Sequence, residues 1–142
     1  MIKEFKDEYH WLSNFFDCEL EYEGISYPTV EHFYVSMKTT DIELRQTISK
    51  IETPGKAKRF GQKEIDIRDD WDDIKISIMQ YGLNVKFNKP YFKELLLSTG
   101  DQKIIEGNLW HDNFYGSCHC DECGDKGRNI LGKMIMELRT DK

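Results

Sequence analysis

Asp70-Trp71-Asp72-Asp73-Ile74-Lys75-Ile76-Ser77-Ile78-Met79-Gln80-Tyr81-Gly82-Leu83-Asn84-Val85-Lys86-Phe87 is the stretch on which the reading of the fold turns. Trp71, Ile74, Ile78, Tyr81 and Val85 alternate spacings of three and four, the period of an α-helix. The pattern predicts a helix over Asp70 to Phe87 with those residues as its buried stripe. Asp69 and Asp70 suit the partial positive charge at its N-terminal end.

Around this helix the chain predicts more of the same. Upstream, Cys18 to Glu23, a turn at Gly24 and Ile25 to Tyr27 read as a short β-hairpin. Pro28-Thr29 starts a helix with Thr29 as N-cap, and Val30, Phe33, Tyr34 and Met37 share one of its faces. A second helix covers Asp41 to Ile51, and a short one follows Thr53-Pro54, where proline suits the first helical position. Downstream, Tyr91 to Leu97 reads as a short helix ending near Gly100, and Lys103 to Gly107 as a brief strand. The last helix is Asn129 to Arg139, with Ile130, Leu131, Met134, Ile135 and Leu138 facing inward. Trp110 to Arg128 has no periodicity and reads as a loop. The expected class is mainly α (α+β): one compact domain over residues 1–142 with a small N-terminal β-hairpin.

Composition narrows the function. The 142 residues include eight Phe, seven Tyr and three Trp, enough for a core and for flat surfaces that stack on a base. The net charge of −6 argues against a sequence-independent grip on a long duplex, which needs a basic face. It leaves room for a single nucleotide or one modified base. No apolar run reaches the ~20 residues of a membrane span, and the first residues lack a signal-peptide core, so the expected location is cytoplasmic with no membrane partner. Oligomeric state leaves no trace in the sequence.

Several residues could carry chemistry. Glu31 stands in the first turn of its helix, and Lys38 follows by nearly two turns, which would put both on one stripe at the rim of the apolar face. The plainer alternative is that Glu31 does no more than complement the helix dipole. Asp112 lies in Glu106-Gly107-Asn108-Leu109-Trp110-His111-Asp112-Asn113-Phe114-Tyr115-Gly116, where aromatics flank a His-Asp-Asn run. That composition suits a grip on a planar ligand, and it also suits ordinary turns. Ser13 and Asn14 form a polar pair inside Trp11-Leu12-Ser13-Asn14-Phe15-Phe16, aimed at a ligand or bonded to the local backbone. Cys118-His119-Cys120-Asp121-Glu122-Cys123 has the density of a metal site. Cys118, Cys120 and Cys123 would need His111, His119 or an acidic residue to complete a zinc shell; otherwise they are plain thiols.

In order along the chain stand Leu12-Ser13-Asn14-Phe15, Glu31-His32-Phe33-Tyr34 with Lys38, Arg68-Asp69-Asp70-Trp71, Lys86-Phe87 and Ser98-Thr99-Gly100-Asp101. They are followed by Glu106 to Gly116 and by Gly127-Arg128-Asn129-Ile130-Leu131-Gly132, leading to Met136-Glu137-Leu138-Arg139. This succession resembles the NADAR or YbiA-like family. The resemblance implies a compact helical fold and N-glycosidase activity, on early riboflavin-pathway intermediates or on ADP-ribose attached to guanine in nucleic acid. It puts the family's acidic functional positions on Glu31 and Asp112. Trp71, Lys86 and Tyr115 would lie in or near the pocket, with Ser13, Asn14, Phe15, His32, Lys38 and Asn129 as further substrate-binding candidates. Two positions depart from the family pattern: Tyr115 stands where Trp is frequent, and Gly61-Gln62 where Gly-Arg is frequent.

Cleaving a ribosyl C1′–N bond builds positive charge on the sugar and negative charge on the leaving base, work that two carboxylates can share without a cofactor. The expected partner is a nucleotide-like small molecule or ADP-ribosylated nucleic acid, with zinc as a possible structural addition. Two rival readings remain. One is a module that binds ADP-ribose or a nucleotide without cleaving it; the other is a zinc-knuckle protein that contacts nucleic acid.

Overall fold

A computed structural model describes residues 1–141. The chain divides into two compact units, Asn14–Lys86 and Met1–Ser13 with Phe87–Lys142.

The first unit opens with the expected hairpin, β1 (Leu20–Tyr22) and β2 (Ile25–Tyr27), paired antiparallel with Leu20 opposite Tyr27. Its turn runs through Glu23 and Gly24, both at positive φ. Helix α1 (Val30–Ser36) follows, capped by the Thr29 side chain, which accepts from the His32 N–H at 3.1 Å. In α2 (Ile42–Ser49), the Asp41 carboxylate caps the N–H groups of Glu43 and Leu44. Helix α3 (Pro54–Lys63) has Thr53 as cap and proline in its first turn. The Thr29 cap and the proline at the start of α3 follow the prediction, and Asp41 and Thr53 prove to be caps as well, because a short polar side chain there satisfies N–H groups that the helix leaves open.

Helix α4 (Trp71–Asn88) stands where the periodicity predicts it, but a different face is buried. Trp71 is buried, whereas Ile74, Ile78 and Val85 are half-buried and Tyr81 is exposed; Met79, Gly82, Leu83, Lys86 and Phe87 turn inward. The apolar residues of α4 surround it, so several stripes of helical period compete and sequence spacing picks the wrong one. Gly82 decides the face, because a Cβ there would press on Val30 Cγ1 at 3.2 Å and Phe33 Cδ2 at 3.3 Å. Phe33 is fully buried, with the rings of Tyr22, Tyr27 and Tyr81 around it.

The second unit starts with a 3-10 helix over Asp7–Leu12, which the sequence reading did not anticipate. It buries Trp11 edge-on to Phe87. Helix α5 (Pro90–Ser98) matches the prediction. The expected strand at Lys103 to Gly107 shrinks to a bridge between Ile2 and Ile104 and to β3 (Gly107–Asn108). The predicted loop contains β4 (Ser117–Cys118), parallel to β3. Helix α6 (Ile130–Thr140) buries Leu131, Met134, Ile135 and Leu138 as expected, with Ile130 half-buried. Among the described residues, no helix is long and apolar enough to cross a membrane.

Candidate active site

In the Asn14–Lys86 unit, the start of α1 gathers the candidates. The Glu31 N–H donates to the Asn14 carbonyl at 3.1 Å, which ties residue 14 to the first turn of the helix. The Asn14 side chain is buried; its amide donates to Met79 Sδ at 3.3 Å, and its Oδ1 finds no donor among the described residues. A buried acceptor left open costs about 1–3 kcal/mol and calls for an explanation, of which a ligand is one.

Glu31 and Lys38 do not share a helical stripe, because α1 ends at Ser36 and Lys38 lies beyond its cap, Met37. They meet electrostatically instead. Burial holds the Lys38 ammonium below its ordinary range, and the Glu31 charge opposes that shift. Lys38 Nζ lies 5.9 Å from the ring centres of both Tyr34 and Trp71. Those rings meet edge to face, with centres 5.0 Å apart. A carboxylate, a cation and two aromatic rings thus stand in one neighbourhood.

Two expected binders in this unit face protein. His32 is buried, with Nδ1 at 2.7 Å from Thr29 Oγ1 and Nε2 at 2.9 Å from the Ile51 carbonyl. A carbonyl only accepts, so Nε2 carries the proton and the Thr29 hydroxyl donates to Nδ1. Burial lowers the pKa of His32 and favours this neutral ring. Lys86 has no exposed surface, and burial pushes its ammonium down to about 7, with Cys18 opposing. Phe15 is exposed.

In the other unit, Asp112 sits in a segment ordered by side-chain-to-backbone hydrogen bonds. The Asn108 Oδ1 accepts from the N–H groups of Trp110 and Asp112, and its amide donates to the Asp112 carbonyl at 2.8 Å. The Asp112 Oδ1 accepts from the N–H groups of Phe114 and Tyr115, each at 3.1 Å, which fixes the half-buried Tyr115. Gly116 is required where β4 begins, since a Cβ there would collide with the Glu106 carboxylate and carbonyl. The carbonyls of Phe114 and Tyr115 accept from the N–H groups of Ile130 and Leu131, so the segment itself closes the start of α6. Asn129, at φ 52°, spends its side chain on the same junction, accepting from the Glu106 N–H and donating to the Ile104 carbonyl. It too faces protein. Ser13 ends the 3-10 helix, its N–H bonded to the His10 carbonyl. An open cavity of about 820 Å³ in this unit has Lys3, Lys103, Arg128 and Lys133 in its lining.

His111 Nδ1, Cys118 Sγ, Cys120 Sγ and Cys123 Sγ all lie within 4.8 Å of one another and could hold a metal ion. Of the candidates that the cysteine spacing left open, His111 is the one that stands beside the three sulfurs. His119 is engaged elsewhere, with Asp125 and the Lys3 carbonyl. The scaffold residues Asn108 and Glu106 carried no periodic or capping signal by which to be found.

The NADAR domain model matches residues 2–141. The chain belongs to the NADAR family. It is 32% identical over 135 residues to N-glycosidase YbiA of Escherichia coli, covering 94% of this chain and 81% of that one. It is 32% identical over 140 residues to N-glycosidase Npun_R5314 of Nostoc punctiforme, covering 94% and 85%. A third relative, riboflavin biosynthesis protein VVA0006 of Vibrio vulnificus, is 33% identical over 140 residues, covering 95% of this chain but 36% of that longer one. The NMR structure of E. coli YbiA superposes with a TM-score of 0.80 at 29% identity, covering 99% of this chain and 86% of that one.

Proposed function

We propose that this NADAR chain is a hydrolase of N-glycosyl bonds. Its substrate is a ribosyl C1′–N bond, either in ADP-ribosylated guanine of nucleic acid or in a phosphoribosylamino-pyrimidine of the riboflavin pathway. The observation that carries the reading is the grouping of Glu31 and Tyr34 of α1, Lys38 just beyond it and Trp71 of α4, in a family with relatives named N-glycosidases.

On this reading Glu31 stabilises the cationic sugar or activates the attacking water. Water adds to C1′, the C1′–N bond breaks with its electron pair going to the base, and a proton reaches the departing nitrogen. Asp112 takes the partner role, with acid and base open to exchange between the two carboxylates. Trp71 and Tyr115 offer ring surface, and Asn14 Oδ1 accepts from an amide or hydroxyl of the substrate. Ser13, Phe15 and Lys38 add contacts. His32, Lys86 and Asn129 hold the frame. The chemistry needs no cofactor, zinc has only a structural part, and the reaction takes place in the cytoplasm.

The test incubates the protein separately with ADP-ribosylated guanine DNA and with a phosphoribosylamino-pyrimidine, and reads products by mass spectrometry. Glu31→Gln and Asp112→Asn are the controls, each expected to lower turnover by about 100-fold or more. Release of ADP-ribose from DNA identifies a de-modifying glycohydrolase, and cleavage of the small substrate alone identifies a metabolic one. A ligand bound and returned intact makes the chain a binding module and ends the enzyme reading.

A further inference from the structure

Four soft and borderline donors converge in the segment after β3. His111 Nδ1 lies 3.2 Å from Cys123 Sγ, 3.6 Å from Cys120 Sγ and 3.8 Å from Cys118 Sγ. A tetrahedral zinc with Zn–S near 2.3 Å and Zn–N near 2.0 Å sets its donors about 3.5–3.8 Å apart. Three sulfurs around one imidazole nitrogen thus stand near the spacing of a tetrahedral shell.

The backbone is arranged for the same end. Cys120-Asp121-Glu122-Cys123 spans a tight turn in which the Cys123 N–H donates to Cys120 Sγ at 3.4 Å. The Gly124 N–H donates to the Cys120 carbonyl at 2.9 Å, and Gly124 takes φ 62°, open to glycine at no steric cost. His111 itself stands at φ 67°, a conformation that its side chain opposes and that a bond to its ring would repay. Cys118, fully buried in β4, supplies the third sulfur.

We infer that His111, Cys118, Cys120 and Cys123 form a Cys3His zinc centre that holds the 108–118 segment, and with it Asp112 and Tyr115, in place. Four protein ligands close the coordination shell, so the ion has no open position for water and acts on structure alone. Its effect on Asp112 is direct, because His111 precedes it in the chain and Cys118 closes the far end of the same segment. The ion is therefore a positioning element. The consequence for turnover rests on the role proposed for Asp112; the metal site and its grip on the segment do not.

The experiment uses the full chain purified under reducing conditions. Elemental analysis is expected to find about one zinc per chain, and Co(II) in its place should show the absorption of a tetrahedral thiolate complex. Cys120→Ser and Cys123→Ser should lose most of the metal. Stripping zinc from the unaltered protein should speed amide exchange over residues 108–118 by about tenfold or more, with α1 and α2 unaffected. Absence of zinc together with absence of the cobalt spectrum overturns the site. Metal bound without any change in exchange overturns its positioning part. Metal and exchange as expected, in a protein that cleaves neither substrate, leave the centre standing and refute the hydrolase reading instead.

Discussion

Helix α1 and the segment 108–118 each carry a carboxylate assigned to the chemistry, Glu31 in one and Asp112 in the other. Around Glu31 the protein relies on apolar packing: every other residue of α1 is buried, and Phe33 is ringed by three tyrosines. Around Asp112 it relies on amides, with β3 and β4 only two residues each and Asn108 bonded at four points. A packed helix holds its side chains by excluded volume, which is spread over many contacts. A hydrogen-bonded loop holds them by a few specific pairs, and one lost partner frees a stretch of chain.

The contrast can be broken by experiment. Phe33→Ala should cost about 3–5 kcal/mol in urea unfolding, as for a large buried ring. Protection of amides over 108–118 should then change only through global unfolding, and a selective loss there would undo the comparison.

A second test stays in the packed unit. The folded Lys86 value of about 7 lies below its ordinary value of 10.5. Between the two, the unfolded chain holds a proton that the folded chain has released, so this group makes stability rise with pH over that window. A shift of that size is worth on the order of a few kcal/mol. Lys86→Met should flatten the rise when the two proteins are compared by denaturant titration from pH 7 to 10; an unchanged slope would assign it to another group.

Asn108→Ala should act the other way round, costing about 1–3 kcal/mol through stranded amides and loosening 108–118 far more than α1 in hydrogen exchange. Thr29→Ala should be the mildest, about 1 kcal/mol, since it removes one cap from a helix whose packing remains. It should also free His32 Nδ1, which a histidine titration followed by NMR would register.

The same contrast explains what was legible in the sequence. The cap at Thr29, the proline that opens α3 and the hairpin turn at Gly24 are local chemistry, written within four residues, and they read correctly. So did the inward side of α6. The face of α4 was misread because apolar residues surround it and only the close approach at Gly82 chooses among them. The Glu31–Lys38 stripe failed because α1 stops at Ser36. In the segment after β3, Asp112 was visible through its motif, but its supports were not. Asn108 and Glu106 act through hydrogen bonds without a period, and no spacing rule finds them; Asn129 and His111 were named as candidates, but not for the contacts they make.

The Asn14–Lys86 unit is contiguous, whereas the other is assembled from residues 1–13 and from Phe87 onward. Ile2 donates to the Lys103 carbonyl, and the Ile105 N–H returns to the Ile2 carbonyl, so these bonds close a loop of about a hundred residues. During synthesis the contiguous stretch can settle while residues 1–13 still wait for their partners. Long-range closure of that kind is slow compared with helix formation. The order of synthesis is thus built into the chain: the stretch that carries Glu31 is complete before the stretch that carries Asp112 is made.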